Sequence, residues 1–436
     1  MRRKEIIKEV IRDFHTGRAP EIKERALSLP LNIEKIITVV GARRSGKTYL
    51  LLQTIEQLLK ERDREEIVYV NLEDERLGLK IEDADLLLQA YRELYPSKDL
   101  SKVYFFFDEI QNLEGWEGFI RRVYDRVTKR IYLTGANSKL LSSEIATALR
   151  GRTIKYELYP LSFEEFLSFK CISLSIPEDL YSTEAKAVIT KAFYEYLVYG
   201  GFPEIVFLED EKLKIKTLQE YFEVMFYRDL IERYEIKNIP VLKYFLKRVI
   251  EGITTPLSVN TIYNELKSQG YKVSKDSLYE FLDNAEAVYL IRLLKRHSLS
   301  VLKAELGVKK VYTVDNGLIN AITFKFKQDH GKLLENLMFK ELTLKFDEVF
   351  FYKNKKECDF IAYKDGLSEV FQISYELEDK TTLKREIDGL LGVCKFLKSD
   401  TGYILNIDKK DEIIKEGIKI KILPVWQYLL MQAHGI

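Results

Sequence analysis

Residues 36–58, IITVVGARRSGKTYLLLQTIEQL, constrain this chain more than any other stretch. Ile36 to Val40 is an unbroken apolar run rich in β-branched residues, the pattern of a strand buried on both faces. From Lys47 onward the leucines follow helical spacing. Between the two, Gly41-Ala42-Arg43-Arg44-Ser45-Gly46-Lys47-Thr48 fits G-x-x-x-x-G-K-[ST] in full. A strand, such a loop and a helix together form a phosphate cradle, because loop N–H groups and the positive helix N-terminus point at one anion. The pattern predicts Lys47 on the β- and γ-phosphates of a nucleotide and the Thr48 hydroxyl on Mg²⁺. Arg43, Arg44, Ser45 and Tyr49 are expected to line the same site with Gly41 and Gly46.

Downstream, apolar runs alternate with helical patterns. IVYVNL (67–72), VYFFFDEI (103–110) and RIYLTGA (130–136) read as strands, and residues 84–95 and 116–127 as helices. This alternation predicts a parallel sheet covered on both faces. Asp108 and Glu109 end the third strand, where a phosphate-binding enzyme places a metal-anchoring acid and a water-orienting base. Glu109 after Asp108 points to hydrolysis by water. Asn137 or Thr134, at the next strand end, is expected near the γ-phosphate. Arg150 and Arg152 in LRGRT are candidates for a transition-state arginine, from this subunit or a neighbour.

Charge narrows the partners. The chain has 69 basic and 68 acidic residues, a net charge of +1, so any nucleic-acid surface is a local patch. Three scattered cysteines and 4 histidines, with no CxxC or HExxH, support neither a disulfide framework nor a zinc site and fit a reducing cytoplasm. The opening MRRKEIIKEVIRDFHTG has charge-interleaved helical spacing, unlike a signal peptide, and no apolar run reaches membrane-span length. Plentiful Lys, Glu, Ile and Tyr with scarce Gln hint at a thermophilic source.

Together GARRSGKT, FFFDEIQNLEGWEGFIRRVYD, LTGANSKLL, LRGRTIKYELYPLSFEEFL and YGGFPE resemble the AAA+-type ATPases of archaea and bacteria that carry an AAA_14-like P-loop domain and a DUF4143-type C-terminal region. The resemblance covers nearly the whole chain. It implies an AAA+ core with an ATP–Mg²⁺ site, a winged helix and a nuclease-like terminal domain.

The residues of the second half give their own reading. After a helical stretch broken at YGGFPE (199–204), two helices opening on Ser258 and Ser274 precede a β pair, the order of a winged helix-turn-helix. Lys275 on the second helix and Arg292, Lys295 and Arg296 on the ribbon are DNA candidates. Residues 292–310 hold six basic residues against one acid, Glu305. Glu280, Asp283 and Glu286 on the second helix count against it. Farther on, Glu335, Asp359 and Gln372 follow the layout of a restriction-endonuclease-like fold, but Ser374 stands where that site needs lysine. Lys380 or Lys384 could replace it. Nuclease activity is therefore not expected.

The expected fold class is α/β. A P-loop AAA+-like core with a parallel sheet spans 1–165, a helical, lid-like region 166–255, a winged helix 256–325 and a restriction-endonuclease-like α/β domain 326–436. The expected function is ATP binding and hydrolysis with Mg²⁺, acting on duplex or branched DNA, in a chain able to form a homo-oligomer and with no membrane partner. Two alternatives stand beside it: a signalling or assembly switch on protein partners, and an ATP-gated metal-dependent nuclease.

Overall fold

The computed structural model describes every residue except 1, 19, 139–146, 181, 299, 324–328, 355 and 436. It divides into two compact units, Met1–Leu158 and Tyr159–Ile436. No helix among the described residues is long and apolar enough to cross a membrane.

The first unit runs α1 (Arg2–Thr16), β1 (Ile36–Val40), α2 (Lys47–Leu58), β2 (Ile67–Asn71), α3 (Asp85–Leu94), β3 (Tyr104–Asp108), α4 (Trp116–Arg126), β4 (Ile131–Gly135) and β5 (Thr153–Glu157). The five strands form one parallel sheet in the order β2-β3-β4-β1-β5. β1, β3 and β4 are buried throughout, as their unbroken apolar runs require. Ile37, Val39, Leu50, Ile55, Phe106 and Tyr132 share one core. β4 lies between β1 and β3, so the glycine loop and the acid pair end neighbouring strands but one.

The second unit opens with α5 (Phe163–Phe169), α6 (Thr183–Tyr199), α7 (Pro203–Phe207) and α8 (Glu211–Val224), then a π-helical segment, Met225–Glu232, and α9 (Ile239–Glu251). α10 (Val259–Ser268) and α11 (Lys275–Ala287) follow, capped by the hydroxyls of Ser258 and Ser274, the two serines that open the sequence patterns. β6 (Arg292–Lys295), the short α12 (Val301–Glu305) and β7 (Lys309–Tyr312) come next, with β6 and β7 antiparallel. Residues 254–257 add a third line to this ribbon: Thr254 N–H donates to Val311 O (2.7 Å) and Leu257 N–H to Lys309 O (2.9 Å).

After α13 (Asn316–Thr323) and α14 (His330–Lys345) come β8 (Glu348–Lys353), β9 (Glu357–Lys364), β10 (Leu367–Ile373), α15 (Lys380–Leu397), β11 (Thr401–Asn406), β12 (Asp411–Lys415), β13 (Ile418–Pro424) and α16 (Val425–Ala433). They build a mixed sheet in the order β12-β13-β11-β10-β9-β8, in which β10, β11 and β13 are parallel.

The break at YGGFPE has a physical cause. Asp315 is fully buried, and its carboxylate accepts the N–H groups of Gly201 (2.8 Å) and Gly317 (2.9 Å). Gly200 has φ +76°, and a Cβ there would stand 1.6 Å from Asp315 Oδ1, so only glycine fits. Lys340, also buried, donates to Leu161 O (2.9 Å) and lies 3.5 Å from Asp315. Its neighbour Glu341 accepts Phe163 N–H (3.1 Å) and the Tyr196 hydroxyl. This polar knot ties α5, α6, α13 and α14 together. Asp315→Ala would leave the Lys340 ammonium buried without its counter-ion and should cost roughly 3–5 kcal/mol of stability. Urea denaturation followed by circular dichroism measures this; a change within about 0.5 kcal/mol would show that the knot is not what holds these helices.

Candidate functional site

The glycine loop needs its glycines. A Cβ on Gly41 would lie 2.1 Å from Leu158 O, and Gly46 has φ +98°. Arg44 adopts φ +68°, which bends the loop back toward α2. No side chain caps the α2 N-terminus at Gly46. Ser45 Oγ is buried without a hydrogen-bond partner among the described residues. An uncapped helix start beside an unsatisfied buried hydroxyl suits an incoming anion.

Around the loop the sequence-predicted residues converge. The buried Lys47 ammonium donates to Gly41 O and Ala42 O (3.2 Å each) and stands 3.5 Å from Glu109 Oε1. Thr48 Oγ1 donates to Asp108 Oδ2 (2.7 Å), which also accepts the Tyr69 hydroxyl (2.9 Å). The Thr134 hydroxyl donates to Asp108 Oδ1 and accepts Glu109 N–H (2.9 Å). Asn137 is buried just beyond β4, on the loop side of the sheet. Arg43 pairs with Glu73 (3.2 Å), Arg44 is exposed, and Tyr49 is half exposed on the first turn of α2.

The two acids differ electrically. Burial pushes the Asp108 carboxyl up, and its three hydroxyl donors only partly offset this. Burial acts on Glu109 in the same direction, but the Lys47 ammonium, Gln111 and Arg43 outweigh it and hold that carboxyl below its ordinary range. Glu109 also sits at φ +52°, a strained conformation for a residue with a side chain. The set offers a cation for phosphate, a hydroxyl and carboxylate pair for a hard metal ion, and an ionised carboxylate, which fits a nucleotide with Mg²⁺.

Arg150 and Arg152 do not join this set. β1 and β5 run in register from Ile36–Thr153 to Val40–Glu157, so both arginines lie level with the start of β1. The loop follows the end of β1, about 16 Å away at some 3.3 Å per residue. Arg150 is exposed, and Arg152 is bonded to Asp125 (2.8 Å). The expectation that either contacts phosphate within its own chain is corrected. Tyr69, Gln111, Glu73 and Arg25, which donates to Ser45 O (2.8 Å), belong to the site but carry no motif. Tyr69 becomes visible only once β2 is known to pair with β3.

The second unit gathers another set. Glu335 on α14 and Asp359 on β9 lie on either side of the Lys310 ammonium, at 3.3 and 3.4 Å. Tyr312 donates to Glu335 Oε1 (2.7 Å), and Ile373 N–H to Asp359 Oδ2 (2.9 Å). Gln372 is buried beside them and hydrogen-bonds Glu386. Burial and the nearby Asp359 push the Glu335 carboxyl up to about 8. Lys380 and Lys384, the lysines considered for this set, are exposed at the start of α15, and the ammonium between the two acids is that of Lys310. Ser374 turns its hydroxyl to Glu376 O (2.9 Å).

Along the ribbon, Lys295 pairs with Glu305 (2.6 Å), and the Arg292 guanidinium lies 4.4 Å from the Tyr289 ring centre. Arg296 is half-buried beside Phe351, and Lys275 is exposed near Tyr263. With Lys310 turned inward, the ribbon shows less positive surface than its composition suggests. Glu286, counted against DNA, is half-buried and accepts Leu293 N–H (3.0 Å), so it leaves the exposed face of α11.

Residues 33–167 match the family described as AAA domain, and residues 190–329 the one described as Domain of unknown function (DUF8612). The second match replaces the DUF4143-type region expected from the motifs. Among solved structures, the Orc1 protein of Aeropyrum pernix in complex with DNA is 13% identical, over 74% of this chain and 91% of its own, at a TM-score of 0.31. AMPPCP-bound DnaA from Aquifex aeolicus is 15% identical, over 65% of this chain and 86% of its own, at 0.26. An uncharacterized protein of Haemophilus influenzae is 32% identical over 82% of this chain and 86% of its own length. Uncharacterized protein MJ1544 of Methanocaldococcus jannaschii is 35% identical over 98% of this chain and 96% of its own. The chain belongs to the family of MJ1544, with its AAA domain at residues 33–167.

Proposed function

We propose that this protein binds ATP with Mg²⁺ and hydrolyses it in the core at residues 1–165. The observation that carries the reading is the junction of Lys47, Thr48, Asp108 and Glu109 at one end of the parallel sheet. Lys47 and the loop N–H groups of 41–48 bind the phosphates, with Arg43, Arg44 and Tyr49 at the rim. Thr48 and Asp108 hold Mg²⁺, which neutralises phosphate charge when bound. Glu109, kept ionised, takes a proton from water at its carboxylate, and Asn137 orients that water. Arg150 and Arg152 contribute only across an interface between two copies, so a homo-oligomer belongs to this reading.

We further propose that the second unit directs this activity to duplex or branched DNA, with 166–255 as a lid-like region, 256–325 as a winged helix and 326–436 as a degenerate restriction-endonuclease-like domain. The succession α9, residues 254–257, α10, α11, β6, β7 supports the winged helix. The order α14, β8, β9, β10, α15, β11 with Glu335, Asp359 and Gln372 supports the nuclease-like unit, and Ser374 supports its loss of cutting.

Two measurements test these readings. Lys47→Ala should weaken ATP binding roughly ten- to a hundredfold, since a charge-assisted contact is lost. Glu109→Gln should bind ATP as the wild type does and turn over about 10²- to 10⁴-fold more slowly. Equilibrium binding and steady-state phosphate release decide both; normal turnover in Glu109→Gln would move the base elsewhere. For DNA, the variant Lys275→Ala/Lys295→Ala/Arg296→Ala should flatten the salt dependence of affinity by up to about one log–log unit per lost phosphate contact. An unchanged slope across several salt concentrations would favour protein partners and the assembly-switch alternative.

A further inference from the structure

The six-stranded sheet of the second unit ends on β12, which among the described residues pairs with β13 and with no other strand. Glu416 and Gly417 join β12 to β13 at φ +54° and +81°, the backbone of a two-residue hairpin turn. Such a turn closes on a hydrogen-bonded pair, here Lys415 with Ile418, and the ladder alternates from there. Ile413 and Asp411 therefore bond to β13, while the N–H and C=O groups of Glu412 and Ile414 point away from the sheet. In keeping with this, Glu412 N–H donates to the carboxylate of its own neighbour Asp411 (2.9 Å).

The side chains of this edge divide between two faces. Ile413 packs against the core under α15, and Lys415 reaches Asp388 on α15 (3.1 Å), so 411, 413 and 415 share that face. Glu412 and Ile414 lie on the other, where Glu412 pairs with Lys419 (2.9 Å) and Ile414 is 74% exposed. Charges on an open edge commonly guard it by repelling a second strand. Here their order does the reverse for a second copy of the same strand.

A twofold axis at Ile413 sets Asp411 opposite Lys415 of the second copy, and Lys415 opposite its Asp411. Lys410 and Glu416, just outside the strand, repeat the opposition. The same axis sets Glu412 opposite Ile414, the two residues whose main-chain groups point outward, so hydrogen bonding and charge select one register. Moving the axis one residue back opposes Lys409 with Lys415, and moving it one residue on opposes Glu412 with Glu416. Of these registers only the one at Ile413 is free of like charges. The Lys415 ammonium has three N–H donors, enough for Asp388 and the incoming Asp411 together.

We infer that two copies of this chain join through their β12 edges, antiparallel and centred on Ile413, so that their six-stranded sheets become one. The two exposed Ile414 side chains then lie diagonally across the seam on one face and shield each other from water. The inference needs neither ATP hydrolysis nor DNA binding. It concerns the second unit, whereas Arg150 and Arg152 belong to the first.

Sedimentation velocity of the nucleotide-free full chain over a concentration series tests it. The wild type should show a monomer–dimer equilibrium. Asp411→Lys opposes lysine with lysine at both ends of the seam, and Lys415→Asp opposes aspartate with aspartate. Each should raise the dimer dissociation constant at least about tenfold. An equimolar mixture of these two variants opposes lysine with aspartate at both ends and should dimerise as the wild type does. Asp411→Lys/Lys415→Asp should do the same by itself, which covers the case in which one single variant fails to fold. A monomeric wild type, unchanged dimerisation in both single variants, or no recovery in either the mixture or the double variant overturns the inference.

Discussion

The carboxylate of Asp108 is buried at the end of β3, where three hydroxyls from three other segments converge on it. Thr48 opens α2, Tyr69 projects from β2 and Thr134 ends β4. Burial disfavours the charge, and these donors replace the water it has lost. One acid thus fixes the start of the helix after the glycine loop and both neighbouring strands. Thr134 extends the same register to Glu109, whose N–H it accepts, and so aims Glu109 toward Lys47. This carboxylate is thus the shared acceptor that joins α2, β2 and β4 at the end of β3.

Much of this is legible in the sequence alone. The glycine loop announces itself because its chemistry needs a fixed spacing along one segment, and the buried strands do so because parallel strands covered on both faces are apolar without interruption. Serine caps placed α10 and α11 for a comparable local reason. What stayed hidden depends on pairing between distant segments. Tyr69 is one aromatic among many until β2 is set beside β3. Arg150 and Arg152 look adjacent to the chemistry in sequence, yet the parallel register of β5 carries them to the far end of the sheet. The last hairpin, β12 with β13, is not legible in the sequence, because short runs with mixed polarity give little periodicity.

The second unit shows the same limit in its charges. Counting basic residues over 292–310 treats Lys310 as surface, although it is among the most buried lysines of the chain. Only the fold reveals that its ammonium lies between Glu335 and Asp359, on a strand that precedes both acids in sequence. The glycines of YGGFPE likewise make sense through Asp315, more than a hundred residues later, whose carboxylate occupies the space a side chain at Gly200 would need. In both places a buried charge is satisfied across a long sequence separation, and the residues at either end are read correctly only as a pair.

On the proposed reading, Asp108 organises a metal-assisted nucleotide site. The most direct test is the ATP affinity of wild type and Asp108→Asn, each measured with Mg²⁺ and with the metal chelated. Mg²⁺ should tighten ATP binding to the wild type and have little effect on Asp108→Asn, which keeps the size of the side chain and loses its charge. Equal Mg²⁺ dependence in the two proteins would contradict it.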